Sequence, residues 1–272
     1  MPFRTIEQRH TGDQHGFIRR LISPGDLGER LKPFVFLDYL HGHVPDGAGF
    51  GFHPHSGIAT LTYQIDADVA YEDTAGQKGI VRATGLEWML SGGGTWHQGF
   101  IHPHGDTATG FQLWVALPPG VEDGEPVGNY IAPEDVPQIG SVRLLLGEYR
   151  SVRNPIVAPA SMTYLDLVLP QGGTWEYQPP ASHRIAWAYV YRGKVVADGK
   201  PTANELLVFD ESSGALKFDA HEPSRILLGT AEKHEHPLVL GSSSVHTSRD
   251  SLKRALERLR TIRDELQRGS RL

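Results

Sequence analysis

The stretch "GFHPHSGIATLTY", residues 51–63, joins two histidines to a segment with the character of a β-strand. His53 and His55 flank Pro54, and polar and apolar residues alternate directly afterwards. Side chains two residues apart on a strand point to the same face, so both imidazoles are predicted to share one face. A proline between them suits a strand edge or a strand start, because it has no N–H to donate.

Short β-rich runs recur outward from this stretch along most of the chain. Turn residues separate them at intervals of roughly ten residues, which is typical of an all-β sandwich or barrel. The runs are "TLTYQI" (60–65), "GFQLWVAL" (110–117), "VRLLLGEY" (142–149), "TYLDLVL" (163–169), "IAWAYVYRGKVVA" (185–197), "ELLVFD" (205–210) and "SRILLGTA" (224–231).

The C-terminal segment follows a different period. Apolar residues recur there at helical offsets on one face, from Leu252 to Leu266. Thr247 and Asp250 resemble a capping box, and Gly269 suits the C-terminal stop. We predict an amphipathic helix over residues 247–268, packed on the β body.

The two halves of the chain weakly echo each other, which predicts two similar β-barrels in tandem. "TLTYQIDADV" precedes "GLEWMLSGGGTWH" in the first half, and "AWAYVYRGKV" precedes "ELLVFDESSGALKF" in the second. The proline-rich segment 118–137 is the expected joint. The predicted domains are therefore residues 1–130, residues 131–246 and the closing helix.

Composition excludes several classes of function. There is no cysteine among the 272 residues, so disulfides, thiolate metal sites and cysteine nucleophiles are ruled out, whereas 14 histidines are available. The net charge of the chain is −6, while the segment after residue 247 has a charge of +4. The rest of the chain therefore has a charge of −10, which argues against direct nucleic-acid binding. The sequence has no apolar run of membrane-spanning length and no signal-peptide pattern at its start, and we expect a cytoplasmic protein.

A third histidine follows the glycine run of "WMLSGGGTWHQG", residues 88–99. His97 comes after a turn that glycines allow to be tight, so it can enter a new strand beside the first two imidazoles. Three imidazoles at a barrel mouth could bind Fe, Ni, Cu, Mn or Zn and leave positions open for water or substrate. The alternative is a pocket of three histidines without metal.

The chain resembles the pirin family of bicupin proteins over nearly its whole length. Six stretches carry the resemblance: "FVFLDYL" (34–40), "GFHPHSGIATLTY" (51–63), "YEDTAGQKGIV" (71–81), "LEWMLSGGGTWH" (86–97), "GFQLWVALP" (110–118) and "GSSSVHTSRDSLKRAL" (241–256). The resemblance implies an all-β fold of two tandem cupin (jelly-roll) β-barrels with a C-terminal amphipathic helix. It also implies a divalent metal, usually iron, in the N-terminal cupin, while the C-terminal cupin is expected to be metal-free.

The ligands implied by the resemblance are His53, His55 and His97. The sequence departs from the family pattern at two acidic positions, where it has Gly99 and Ala59. Without a carboxylate, a three-histidine site keeps the full +2 charge of the ion and favours hydroxide or an anionic substrate. The nearby side chains that could replace the carboxylate, as extra ligands or pocket residues, are Gln98, His102 and His104.

Two classes of function remain open on this basis. Some pirin-like proteins are quercetin 2,3-dioxygenases, which implies a flavonoid-like or anionic substrate and a nearby carboxylate base. The sequence shows no clear base; Glu87 lies in a strand-like stretch and receives no catalytic role. The alternative is a non-enzymatic, redox- or metal-responsive regulator that binds a protein partner, or a metal-free divergent cupin.

Overall fold

The computed structural model describes residues 2–272 and confirms an all-β chain with a long C-terminal helix. The chain forms two compact units. One unit, the N-terminal barrel, consists of residues 14–135 and 234–272. The other, the C-terminal barrel, consists of residues 136–233 and the N-terminal residues up to Asp13.

The N-terminal barrel has two sheets and two helices. The larger sheet has the strand order β12-β9-β6-β11-β4-β3-β2, the smaller sheet has the order β5-β10-β7-β8, and β24 pairs with β25. The elements are β2 (Asp13–His15), β3 (Ile18–Ile22), α1 (Leu27–Leu31), β4 (Phe34–His43), β5 (Ala48–His55), β6 (Ile58–Gln64), β7 (Ala67–Asp73), β8 (Lys78–Val81), β9 (Leu86–Leu90), β10 (Thr95–Pro103), β11 (Thr107–Ala116), β12 (Val127–Ile131), a 3-10 turn (Pro133–Asp135), β24 (Val239–Leu240), β25 (Val245–His246) and α2 (Arg249–Arg268).

The C-terminal barrel repeats this plan. Its larger sheet has the order β1-β21-β18-β23-β16-β14-β13, with β15 beside β14, and its smaller sheet has the order β17-β22-β19-β20. The strands are β1 (Ile6–His10), β13 (Gln138–Ile139), β14 (Val142–Tyr149), β15 (Val152–Arg153), β16 (Met162–Leu169), β17 (Thr174–Tyr177), β18 (Ile185–Arg192), β19 (Val195–Ala197), β20 (Lys200–Thr202), β21 (Leu206–Phe209), β22 (Leu216–Ala220) and β23 (Ser224–Ala231).

The compact units differ from a linear division of the chain at residues 130 and 246, because each end of the chain belongs to the barrel formed by the other half. β1 pairs antiparallel with β21 and completes the edge of the larger sheet of the C-terminal barrel. The buried guanidinium of Arg4 fixes this segment by donating to the carbonyls of Gly214 at 3.0 Å and Arg184 at 2.9 Å. At the other end, Val245 donates its backbone N–H to the Ser56 carbonyl at 3.2 Å, which ties β25 to the N-terminal barrel.

Helix α2 packs on the N-terminal barrel through its apolar stripe. Ala255, Leu259 and Leu266 are buried, and the indole N–H of Trp96 on β10 donates to the Leu259 carbonyl at 3.0 Å. The turn before β10 requires glycine at position 94, because its φ is +140° and a Cβ there would lie 2.9 Å from the Leu259 side chain.

The N-cap of α2 is Ser248, one residue beyond the predicted Thr247. The Ser248 hydroxyl accepts from the Ser251 N–H at 3.1 Å. Thr247 does not cap the helix, because its N–H and its hydroxyl both donate to the carboxylate of Glu122. The helix ends at Arg268 with Gly269 as its C-cap, as the sequence predicts. Within the described part of the chain, no helix combines the length and apolarity that a membrane span requires.

Candidate metal centre

Three imidazoles meet on the inner face of the smaller sheet of the N-terminal barrel. β10 pairs antiparallel with β5, and His97 lies directly opposite His53, with His55 two residues further along the same face. The ring centroids are 4.3 Å apart for His53 and His97, and 5.0 Å apart for each of the other two pairs. One potential ligand atom from each residue lies within 4.8 Å of the others.

Backbone carbonyls orient two of these rings. The Nδ1 atom of His53 lies 2.8 Å from the Gly51 carbonyl, and that of His55 lies 3.1 Å from the Ser243 carbonyl. A carbonyl accepts only, so each Nδ1 carries the proton and each Nε2 keeps a lone pair. Metal-binding imidazoles are held in the same way by their second nitrogen.

The third ring, that of His97, has a nitrogen atom without a hydrogen-bond partner among the described residues, 2–272. This atom is Nε2, which is buried. Burial lowers the pKa of all three histidines, and for His55 and His97 the neighbouring imidazoles act in the same direction, so the pKa is about 3 for His55 and well below the usual range for His97. All three are therefore neutral at pH 7, and the donor set fits a divalent ion that takes nitrogen ligands.

A cavity of about 570 Å³ lies between this site and the larger sheet. Its volume is in the range of small-molecule sites. Trp114 and Phe36 stack with centroids 4.0 Å apart in the wall, and His55 meets the Trp114 ring edge-to-face at 4.8 Å. The cavity therefore offers flat aromatic surface directly beside the imidazoles.

A row of polar side chains crosses the larger sheet on the cavity side. Cross-strand pairing connects one residue from each of five adjacent strands, and all five line the cavity. The Arg20 guanidinium forms a salt bridge with Asp38, with the second contact at 3.0 Å. In order from β9 to β3, the row is Glu87, Thr62, Gln112, Asp38 and Arg20.

Glu87 is the fully enclosed end of this row. Its carboxylate lies 2.9 Å from the Thr62 hydroxyl, and the residue is 6% exposed. Burial raises the pKa of Glu87 to about 7; the Thr62 hydrogen bond lowers it, and the Asp73 carboxylate raises it. Glu87 lies outside the three-histidine ligand group, so it is a carboxyl of the cavity wall.

The family model for pirin matches residues 17–115, the part of the chain that contains all three histidines and the polar row. Residues 17–115 therefore form a pirin domain.

Proteins similar to this chain match it over most of its length. A candidate quercetin 2,3-dioxygenase of Pseudomonas aeruginosa is 29% identical, over 93% of this chain and 95% of that protein. The solved structure of a quercetin 2,3-dioxygenase from Acinetobacter baumannii superposes with a TM-score of 0.86 at 23% identity, over 94% of this chain and 96% of that one. An Escherichia coli pirin solved with nickel(II) has a TM-score of 0.65 at 19% identity, over 85% of this chain and 98% of that one. These structures share the fold of two tandem cupin barrels.

The two positions where this chain lacks an acidic residue differ in their surroundings. Gly99 lines the cavity, and a Cβ there would meet Val69 Cγ1 at 3.5 Å, an ordinary contact. Ala59 alternates with Thr60 and Thr62 on β6, so its side chain points away from the cavity. The missing carboxylate that matters to the site is therefore the one at Gly99.

Of the three side chains expected as extra ligands or pocket residues, Gln98 lines the cavity and His102 and His104 do not, and all three have hydrogen-bond partners outside the histidine group. The Gln98 amide donates to Glu72 at 3.1 Å, His102 lies 2.7 Å from an Asp46 oxygen, and His104 lies 3.0 Å from an Asp68 oxygen. None of the three belongs to the three-histidine ligand group. His102 is five residues from His97, and this odd spacing turns it to the other face of β10.

The carboxyl that sequence reasoning missed is Glu87. The sequence shows only that Thr60, Thr62 and Gln64 alternate on one face of β6, a pattern that also fits a strand facing solvent, and the structure adds that β6 is buried along its whole length. Polar residues on one face of a fully buried strand indicate a polar cavity, and Glu87 is the cross-strand neighbour of Thr62.

Proposed function

We propose that this protein is a metal-dependent dioxygenase of the quercetin 2,3-dioxygenase type. The observation that carries the proposal is the convergence of three neutral imidazoles around the unpartnered His97 Nε2 atom beside a cavity. The aromatic wall suits a flat, flavonoid-like substrate. The name and similarity of the Pseudomonas relative support the same reaction.

The residues have separate tasks in this proposal. His53, His55 and His97 would hold a divalent ion, for which iron is our first candidate, and nickel(II), bound by the Escherichia coli pirin, the second. The ion would supply positive charge for an anionic substrate oxygen and a route for reaction with O₂. Trp114 and Phe36 would orient the substrate by stacking.

Metal content followed by turnover tests the proposal. Protein purified without added metal should contain a divalent ion, and His97→Ala should lower metal affinity by more than the roughly 100-fold that loss of an outer-shell partner costs. His104→Ala is the matched control, because His104 is exposed and pairs with Asp68. Equal metal content in wild type and His97→Ala would overturn the metal centre.

Aerobic loss of the visible absorbance of quercetin then tests the reaction. The metal-loaded wild type should consume quercetin and O₂ together, and His97→Ala should not. Metal binding without any quercetin loss would overturn the dioxygenase and favour the second candidate, a metal-responsive regulator that binds a protein partner. The glycine at position 99 favours that candidate, because the ion would lack a carboxylate ligand there.

A further inference from the structure

The cavity wall contains an enclosed carboxyl that the three-histidine centre does not use. Glu87 projects from β9 into the space that the imidazoles enter from the opposite sheet. Its surroundings include Asp73 and Tyr71 of β7, both close enough to interact with its charge. Asp73 is the cross-strand partner of His97, so Glu87 lies toward the same end of the cavity as the histidines.

Hydrogen bonding around Glu87 leaves room for a proton on its carboxyl. The Thr62 hydroxyl lies 2.9 Å from Glu87 and 2.9 Å from the Gln112 side-chain oxygen. A hydroxyl donates one proton, so one of these two contacts needs a proton from the partner. A protonated Glu87 carboxyl supplies it, and so does a Gln112 amide turned to present its NH₂ group. The site therefore accommodates both the charged and the neutral form of Glu87.

Two further carboxyls, one in the cavity wall and one near Glu87, have other partners. Asp38, which also lines the cavity, forms a salt bridge with Arg20. Asp73, which lies near Glu87 but does not line the cavity, accepts the Gln77 backbone N–H at 2.9 Å within a turn. Glu87 is held by the neutral Thr62 hydroxyl, and its pKa of about 7 lies where a carboxyl exchanges a proton readily at neutral pH.

We infer that Glu87 is the proton acceptor of this cavity, taking the proton of a substrate hydroxyl that binds as an anion in front of the three histidines. This inference rests on the proposed function, since it names the residue that ionises the substrate of that site. In the step, the substrate O–H bond breaks, the proton goes to a Glu87 carboxylate oxygen, and the electron pair stays on the substrate oxygen. Charge is conserved, because Glu87 becomes neutral as the substrate becomes an anion.

The arrangement explains how the site works without a carboxylate at position 99. Three neutral imidazoles leave the charge of a divalent ion uncompensated, and beside these buried rings this favours an anionic ligand. A proton acceptor on the facing wall produces that anion without placing a second negative charge on the ion. The substrate class is accordingly a flat aromatic compound with an ionisable hydroxyl, such as a flavonol.

The test counts protons when a ligand binds to the zinc-loaded full chain, in which no redox turnover occurs. The probe is 3-hydroxyflavone, which carries the flavonol hydroxyl and no other, and calorimetry in buffers of different ionisation enthalpy gives the protons released. At about pH 7.5 the wild type should release less than about half a proton, because Glu87 keeps it. Glu87→Gln should release close to one proton, and the matched control Glu176→Gln, an exposed strand glutamate of the C-terminal barrel, should behave like wild type.

Separate readouts distinguish this inference from the dioxygenase proposal. Glu87→Gln keeps the shape and the bond to Thr62, so its zinc content and circular dichroism should equal those of wild type. Equal proton release in wild type and Glu87→Gln overturns the role of Glu87 and leaves the dioxygenase intact. Binding with the expected proton counts but no aerobic turnover of the iron-loaded protein supports Glu87 and overturns the dioxygenase. Absence of any binding by the zinc-loaded wild type overturns the inference together with the flavonol substrate.

Discussion

In the N-terminal barrel, β5 and β10 present three histidines to the interior, with His97 opposite His53 in the register. The C-terminal barrel has the same strand order, and there β22 pairs with β17 so that Phe218 lies opposite Trp175. The positions that match the three histidines are therefore occupied by aromatic residues of the buried core: Trp175, Tyr177 and Phe218.

The larger sheets of the two barrels differ in the same way. The row across β9, β6, β11, β4 and β3 is polar in the N-terminal barrel, from Glu87 to Arg20. A row across the five strands that take the same places in the C-terminal barrel is apolar and belongs to its buried core. It consists of Leu207, Ala188, Leu228, Leu165 and Leu144.

One strand topology therefore supports two different interiors. Aromatic and aliphatic side chains fill the C-terminal barrel and stabilise it by burial. In the N-terminal barrel, imidazoles and a polar row border a cavity, and the buried polar groups cost stability in exchange for a binding site. The difference lies in a few inward-facing positions, so substitutions there test it directly.

The largest expected effect is on the stability of the filled barrel. Phe218→Ala should lower the free energy of unfolding by about 3–5 kcal/mol, because it leaves a void in a close-packed core. His97→Ala, at the matching position, should cost less than about half as much in metal-free protein, since His97 already borders a cavity. Urea unfolding followed by tryptophan fluorescence measures both, and equal losses would contradict the contrast between the two interiors.

The second effect is the pH dependence that Glu87 gives to the N-terminal barrel. The folded protein keeps a proton on Glu87 up to about pH 7, whereas the unfolded chain gives it up near the ordinary pKa of 4.5. Stability therefore falls as the pH rises through this window, by about 3 kcal/mol more in wild type than in Glu87→Gln.

The variant isolates this contribution from that of the histidines. The lowered pKa of His55, about 3, makes stability rise with pH up to the ordinary histidine range, but it acts in wild type and Glu87→Gln alike. Urea unfolding at about pH 5 and pH 8 measures the difference between the two proteins. Identical pH profiles would show that Glu87 titrates normally in the folded protein.

The smallest effect concerns the neighbour of Glu87. Thr62→Val removes the hydrogen bond that lowers the pKa of Glu87, and it places an apolar residue where the C-terminal barrel has Ala188. The pH-dependent fall in stability should move upward by less than about one pH unit. Thr62→Ser, which keeps the hydroxyl, should leave the profile in place, and a downward shift in Thr62→Val would contradict the assigned hydrogen bond.

The amino-acid sequence by itself determined the strand content, the closing helix and the shared face of His53 and His55. These features depend on local periodicity, which the chain carries in its order of residues. The position of His97 beside them was also predictable, because a glycine-rich turn and a single returning strand bring it there.

Tertiary structure alone decided which face of the central strands borders the cavity. Both faces of β6 are buried, so the alternation of Thr62 with Leu61 and Tyr63 separates two faces without showing where each one points. Polar alternation normally marks solvent, and Glu87 in "GLEWML" fits that reading. Only the pairing of β9 with β6, and the closure of the sheet over the three histidines, turns Glu87 into a buried carboxyl whose proton affinity matches neutral pH.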